Sequence, residues 1–296
     1  MNGTCVVLEN RGLIKVSGED RAEFLQGLIS NDINHVAPGR AIWAALLTPQ
    51  GKYLHDFFVI ESDGAFYLDC EAARLMDLGR RLRKYVLRAR VSLDVVEGFT
   101  VVALFGDGAL SALVLPQEPG AARACNGGVV YVDPRLAAAG ARAVLPSDDV
   151  VGMAEALGFV MSDAVAYDRL RLSHGLSDGS RDLVVEKSIL LESNFDELHG
   201  VDWQKGCYMG QELTARTKYR GLVKKRLLPV RIEGPIPSPG SPVLDGDREV
   251  GEIRSAVDGM GLALIRLDAM EKAGEDASFD ADGAVVKPWK PTWARL

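Results

Sequence analysis

Hydrophobic residues fall along this chain in short runs of strand or single-helix length, cut repeatedly by Gly, Pro and Asn. Residues 6–8 and 13–16 read as strands on either side of a turn at Asn10-Arg11-Gly12. Ser17 is then placed to cap a helix to about Ser30, with Ala22, Leu25, Leu28 and Ile29 on one face. Residues 41–48 form an apolar strand broken by Pro49-Gln50-Gly51, with 53–61 as its hairpin partner. A strand over 65–70 and a helix rich in Leu and Arg over about 71–86 follow. Strands near 91–96, 99–105, 128–132 and 141–145, a short helix after Gly108, and helices over 150–157 and 163–172 predict a second α+β unit. After Arg226 the character changes: short strands near 227–232, 242–244, 248–254 and 261–265 with many turn residues predict a small antiparallel barrel. Boundaries near 95 and 225 follow, giving an N-terminal lobe over 1–95, a second over 96–225 and the barrel over 226–296. No period of 20 to 50 residues recurs, which excludes a solenoid.

Composition adds limits to this picture. With 47% apolar residues in 296, the chain buries a substantial core and is not globally disordered. No apolar stretch approaches the ~20 residues of a membrane span, and Met1-Asn2-Gly3-Thr4-Cys5 lacks the basic start and apolar run of a signal peptide, so a cytoplasmic location is expected. Cysteines at 5, 70, 125 and 207 are too sparse for a disulfide framework. None stands in a CxxC or at a metal-ligand spacing from a histidine, so no zinc or iron-sulfur centre held by a local motif is expected.

Charge is unevenly placed. Residues 74–90 hold Arg74, Arg80, Arg81, Arg83, Lys84, Arg88 and Arg90 against Asp77 alone, and 205–226 hold Lys205, Arg216, Lys218, Arg220, Lys224, Lys225 and Arg226 against Glu212 alone. The net charge of −7 therefore averages an acidic chain with two basic segments, either solvated helix faces or places that draw an anionic ligand or partner.

The densest chemistry lies in Lys205-Gly206-Cys207-Tyr208-Met209-Gly210-Gln211-Glu212. Its two glycines permit a tight backbone, and Gln211 and Glu212 fall where a helix starts and free amides favour anions. A lysine two residues before Cys207, in a basic segment near a helix start, favours thiolate over thiol. Cys207 is the best nucleophile or redox candidate, against the alternative of an inert cysteine. His35, His55, His174 and His199 complete no triad by spacing. Asp56 enters an otherwise apolar strand, where a carboxylate needs a partner; general acid/base, ligand acceptor and satisfied structural group all remain open.

Together these segments resemble the YgfZ family, which shares a folate-binding superfamily with the glycine-cleavage aminomethyltransferase, or T-protein. Residues 205–212 match its K-G-C-Y-x-G-Q-E signature at every specified position. Val16-Ser17-Gly18-Glu19-Asp20, Phe24-Leu25-Gln26-Gly27, Ser30-Asn31-Asp32 in place of T-N-D, Leu47-Thr48-Pro49-Gln50-Gly51-Lys52, and Arg169-Leu170-Arg171-Leu172 with Gly175 follow in order, covering about 10–265.

The resemblance implies an α+β, three-lobed aminomethyltransferase-like fold, two α+β lobes around a central opening plus a C-terminal antiparallel β-barrel, with tetrahydrofolate or a one-carbon derivative at the centre. It implies a monomeric accessory protein in assembly or repair of [4Fe-4S] clusters, partnered by client enzymes or assembly proteins. Cys207 inherits the functional centre with Lys205 as neighbour, and Asp56 aligns with the T-protein acid that faces the pterin nitrogens. Asn31, Asp32, Glu71, Arg171, Tyr208, Gln211, Glu212 and Arg220 complete the expected folate contacts, with the basic segments holding its glutamate tail. Two departures weigh against aminomethyl transfer: His55 replaces an acid, and Ser173 replaces a pterin-gripping glutamate for which Asp69 or Glu71 are substitutes. A one-carbon transferase using Asp56 and an RNA-binding protein using the basic segments are the alternatives; thin aromatic interleaving and the lack of a P-loop pattern argue against the latter.

Overall fold

A computed structural model describes residues 3–221, 223–274 and 276–295. Two compact units make up the chain: one is Met1–Leu47, Leu54–Ala166 and His199–Met209, the other Thr48–Tyr53, Tyr167–Leu198 and Gly210–Leu296.

The first unit contains two sheets. One has the strand order Ile42–Leu47, Tyr53–Ser62, Ala65–Glu71, Arg11–Ser17, Ser92–Val96. Ile42–Leu47 is buried at every position and Tyr53–Ser62 at all but its last two, which explains their unbroken apolar runs: both faces are covered. The second sheet runs Val160–Ser162, Thr4–Val7, Phe99–Phe105, Ala141–Pro146, Gly128–Val132, Ala122–Cys125. Thr4–Val7 thus pairs with Phe99–Phe105 and lies parallel to Val160–Ser162, so the two first strands, close in sequence, belong to different sheets. Nothing in the local pattern of residues 6–16 signals that separation, because strand partners are chosen by distant residues.

The helix expected from Ser17 is shorter, Arg21–Gln26, with Asp20 at its N-cap position. Ser17 stays in its strand opposite Ser92, and Gly18 takes φ +108°, where a Cβ would sit 2.0 Å from the Arg90 carbonyl. At the other end, the carbonyls of Gln26, Ile29 and Asn31 all accept from the Lys205 ammonium, and Ser30 N–H bonds the Ala45 carbonyl. Tertiary acceptors and donors take over groups that a longer helix would have paired internally.

Buried charge ties the two sheets together. Asp69, fully buried, accepts from Arg11 Nε at 2.6 Å, from Arg142 Nη2 at 2.8 Å and from the Tyr131 hydroxyl at 3.1 Å. The Phe58 ring lies 4.2 Å from the Arg142 guanidinium.

In the second unit, six strands close into an antiparallel barrel: Lys225–Glu233, Met260–Arg266, Arg248–Val257, Pro242–Asp245, Phe279–Ala281 and Ala284–Pro288. Leu228, Val230 and Ile232 enter its core, while Leu227 packs with Leu262 and Leu172 in a separate cluster. That second buried face explains why 227–230 reads as a solid apolar run rather than an alternation.

Candidate functional site

The loop His199–Met209 carries the signature cysteine, and polar contacts inside the first unit define its path. Ser30 Oγ donates to the Gly200 carbonyl at 2.6 Å, and Asn31 Nδ2 donates to the carbonyls of His199 at 2.7 Å and Trp43 at 2.8 Å. Asp202 Oδ1 accepts from the backbone N–H of Gln204 at 2.6 Å and Lys205 at 2.9 Å, closing a local turn. Lys205 then reaches back. Its Nζ donates to the carbonyls of Gln26 at 2.9 Å, Ile29 at 2.6 Å and Asn31 at 2.7 Å, one for each ammonium proton, and lies 5.0 Å from the centre of the Tyr208 ring. Burial pushes the ammonium down to about 8, with Asp32 and Asp202 pulling it up again. Met209 N–H bonds the Gly27 carbonyl.

This arrangement gives Lys205 the role of a clamp: three donors engage three carbonyls, and the loop is fastened on both sides of an exposed Cys207. Lys205→Met should therefore lower unfolding stability by about 2–3 kcal/mol, since three partly buried carbonyls lose a charged donor. A urea melt checks the value. The same substitution should raise the rate at which Cys207 reacts with an alkylating reagent, because the loop loses its anchor.

Among the cysteines the contrast is one of environment. Burial pushes Cys5 up to about 11 and Cys70 up to about 12, keeping both as thiols, and Cys125 is half-buried. Cys207 is exposed.

Signature and early motifs meet at Asn31 and Asp32. Both Asn31 amide protons reach carbonyls, and its oxygen accepts from Asp32 N–H at 2.9 Å. Asp32 Oδ1 accepts from Asn34 N–H at 2.9 Å and from Gln26 Nε2 at 3.0 Å. Burial pushes that carboxyl up, but these hydrogen bonds and the nearby His35 outweigh it and hold it below the usual range.

Asp56 is buried on Tyr53–Ser62 and accepts from the indole Nε1 of Trp43 at 3.0 Å. His55 beside it is also buried, with Nε2 3.0 Å from Asp77 Oδ2. Burial, then the Arg74 guanidinium, push the imidazole down to about 4, against the pull of Asp77. Asp69 does not substitute for a pterin-gripping acid, because Arg11, Arg142 and Tyr131 enclose it. Glu71 is half-buried, 4.0 Å from the Arg74 guanidinium.

Gln211, Glu212, Arg171 and Arg220 lie in the second unit. Gln211–Tyr219 is a helix entered through Gly210 at φ +80°, with an exposed Glu212 in its first turn and Arg220 exposed just past its end. Gly51 packs there: at φ +82°, its Cβ would meet the Gly210 carbonyl at 2.6 Å, so the turn after Pro49 requires glycine. Arg171 is buried, with Nε to Asp168 at 2.5 Å, Nη1 to Asp182 at 2.7 Å and Nη2 to Ser255 Oγ at 3.1 Å. Every guanidinium nitrogen has a protein acceptor, which makes Arg171 a tie to the barrel strand Arg248–Val257 rather than a ligand contact. Ser173 Oγ donates to the Leu170 carbonyl at 2.7 Å, within its own helix.

The basic segments are also more structural than their charge suggests. Arg74 donates to the Leu54 carbonyl, Arg81 pairs with Asp77, Arg83 donates to the Leu93 carbonyl, and Arg90 pairs with Asp20. Arg226 is buried against Asp196. Lys84, Arg88, Arg216 and Lys224 are exposed. Trp43, Arg142 and Asp202 escaped the sequence reading; only Asp202, a turn former just ahead of the signature, left a local signal.

Superposition on solved structures places the fold. The chain aligns with a glycine-cleavage aminomethyltransferase T of Bartonella henselae at TM-score 0.80, covering 99% of this chain and 86% of that one at 16% identity. Residues 224–296 match the family described as CAF17, C-terminal beta-barrel domain. The protein thus has the aminomethyltransferase-like fold, mixed α+β, with a closed six-stranded barrel at its C-terminal end.

Curated relatives narrow this to one branch. The iron-sulfur cluster assembly factors IBA57, mitochondrial, of Mus musculus and Homo sapiens are each 33% identical to it, over 99% and 97% of this chain and 87% and 85% of their own lengths. The chain belongs to the IBA57 family of iron-sulfur cluster assembly factors. These relatives refine the resemblance to YgfZ, since IBA57 is the family they name. They also overturn the cytoplasmic expectation, because they are mitochondrial proteins. That expectation rested on the absence of a basic, apolar start, which does not report a compartment.

Proposed function

We propose that this protein binds tetrahydrofolate and supports assembly or repair of [4Fe-4S] clusters in client enzymes through Cys207. The observation that carries the reading is the exposed Cys207 on a loop fastened by Lys205, in a chain of the IBA57 family. A cysteine sulfur is a soft donor to iron and a nucleophile toward sulfur. A cluster takes about four such ligands, so Cys207 acts as one donor among those of an assembly partner or client. The aminomethyltransferase of like fold supports the folate part, with Asp56 as the acceptor facing the pterin and the indole of Trp43 fixing its carboxylate. Ser173, engaged within its helix, and His55, held by Asp77, offer neither of the acids whose places they take, which favours a binding and accessory role over aminomethyl transfer.

Isothermal titration with tetrahydrofolate tests the ligand. Saturable binding to the wild type should weaken about 10- to 100-fold in Asp56→Asn, which keeps the shape and an acceptor for Trp43 but loses the charge-assisted hydrogen bond. Undiminished binding to Asp56→Asn removes Asp56 from the site. Absence of saturable binding by the wild type removes folate from the function.

A further inference from the structure

Asp202 lies 170 positions from Asp32 and 167 from His35, on a second segment of the first unit, yet the ligand atoms of all three come within 4.8 Å of one another. Each carboxylate is oriented through one oxygen. Asp32 Oδ1 is held by Asn34 and Gln26, and Asp202 Oδ1 by the amides of Gln204 and Lys205. His35 Nδ1 stands 3.6 Å from Asp202 Oδ2. That is too long for a hydrogen bond, and close to the ~3.4 Å that separates two donors around one tetrahedral ion with bonds of about 2.1 Å. A cavity of about 290 Å³ opens beside His35 and Asp202, lined also by Asn31, His199, Arg40 and Glu118. Arg40 is paired with Glu118 at 2.7 Å, and Lys205 directs its ammonium at carbonyls, so neither cation is committed to the two carboxylates.

We propose that Asp32, His35 and Asp202 form a binding site for a divalent first-row transition ion. One imidazole and two carboxylates suit zinc, ferrous or cobaltous ions, and three protein ligands leave coordination positions open toward the cavity. Backbone and amide donors behind both carboxylates supply the outer hydrogen bonds that orient such ligands. Asp202 also holds the amide of Lys205, so an ion here would fix the start of the loop that presents Cys207. The site needs neither folate nor the thiol, and no local motif shows it because Asp202 is distant in sequence from Asp32 and His35.

The test is titration of the full chain, freed of metal by chelator, with Co(II), followed by its visible absorption and by isothermal titration, with Zn(II) as competitor. One equivalent should bind to the wild type with weak visible bands from oxygen and nitrogen ligation. Affinity should drop at least about tenfold in His35→Ala and in Asp202→Asn, the loss expected when one of three ligands is removed. Cys207→Ala should bind as the wild type does. The His35 side chain is 54% exposed, so its removal leaves the fold intact, and circular dichroism checks this. No saturable binding by the wild type, equal binding by His35→Ala, or loss of binding in Cys207→Ala each overturns the proposal. The last outcome would place the ion on the thiolate and leave the reading of Cys207 standing.

Discussion

Asp69→Asn lowers unfolding stability by about 3–5 kcal/mol, the range for removing one partner from a buried ion pair. Arg11 and Arg142 come from strands of two different sheets and converge on this carboxylate in a place without solvent. Asparagine keeps the volume and can accept hydrogen bonds, but two guanidinium groups then face each other with no anion between them. Arg142→Met should be milder, because the Arg11–Asp69 pair and the Tyr131 hydroxyl contact persist. Acidity separates charge from shape. Burial alone would raise Asp69, but Arg11 and Arg142 override it and hold the carboxyl below its ordinary range. Its contribution is therefore fully present above about pH 4, the unfolded value, and is lost as pH falls through the lower folded one. Urea melts of wild type and variant should differ by a constant amount from neutrality to about pH 5 and converge in more acidic buffer. A constant gap down to acid unfolding would mean that packing, not charge, sets the effect.

Much of this architecture was legible because its causes are local. Turn residues and apolar runs mark the strands Ala65–Glu71, Phe99–Phe105 and Ala141–Pro146 within a residue or so, and the breaks after Arg226 announce a barrel before any partner is known. The octapeptide is legible for the same reason. What escaped depends on groups far apart in the chain. Lys205 reads as an electrostatic neighbour of Cys207, yet its three acceptors lie 174 to 179 residues away. The resemblance makes Arg171 a ligand contact, and only the meeting of Asp168, Asp182 and Ser255 around its buried guanidinium shows a structural tie instead. The basic segments misled in the same direction: Arg226 and much of 74–90 serve carbonyls and carboxylates of their own unit, so charge counted along the chain overstated the charge offered to a partner.

The largest functional effect belongs to Cys207→Ser. In cells lacking the protein, a Cys207→Ser version should restore [4Fe-4S] enzyme activities no better than an empty vector, while Cys70→Ser and Cys125→Ser should restore them to the extent that they fold. A serine hydroxyl is close in size to the thiol but is a hard oxygen donor, neither a soft iron ligand nor a comparable nucleophile. Because the residue is exposed and the loop is held by Lys205, Asn31 and Asp202 rather than by the thiol, stability should change by less than about 0.5 kcal/mol. That separation makes the test sharp: the variant should melt with the wild type and bind tetrahydrofolate as it does, yet fail in cluster maturation. Full rescue by Cys207→Ser would end the central role of the thiol. Loss of rescue together with a large drop in stability would show that Cys207 holds the loop, contrary to the contacts that fasten it.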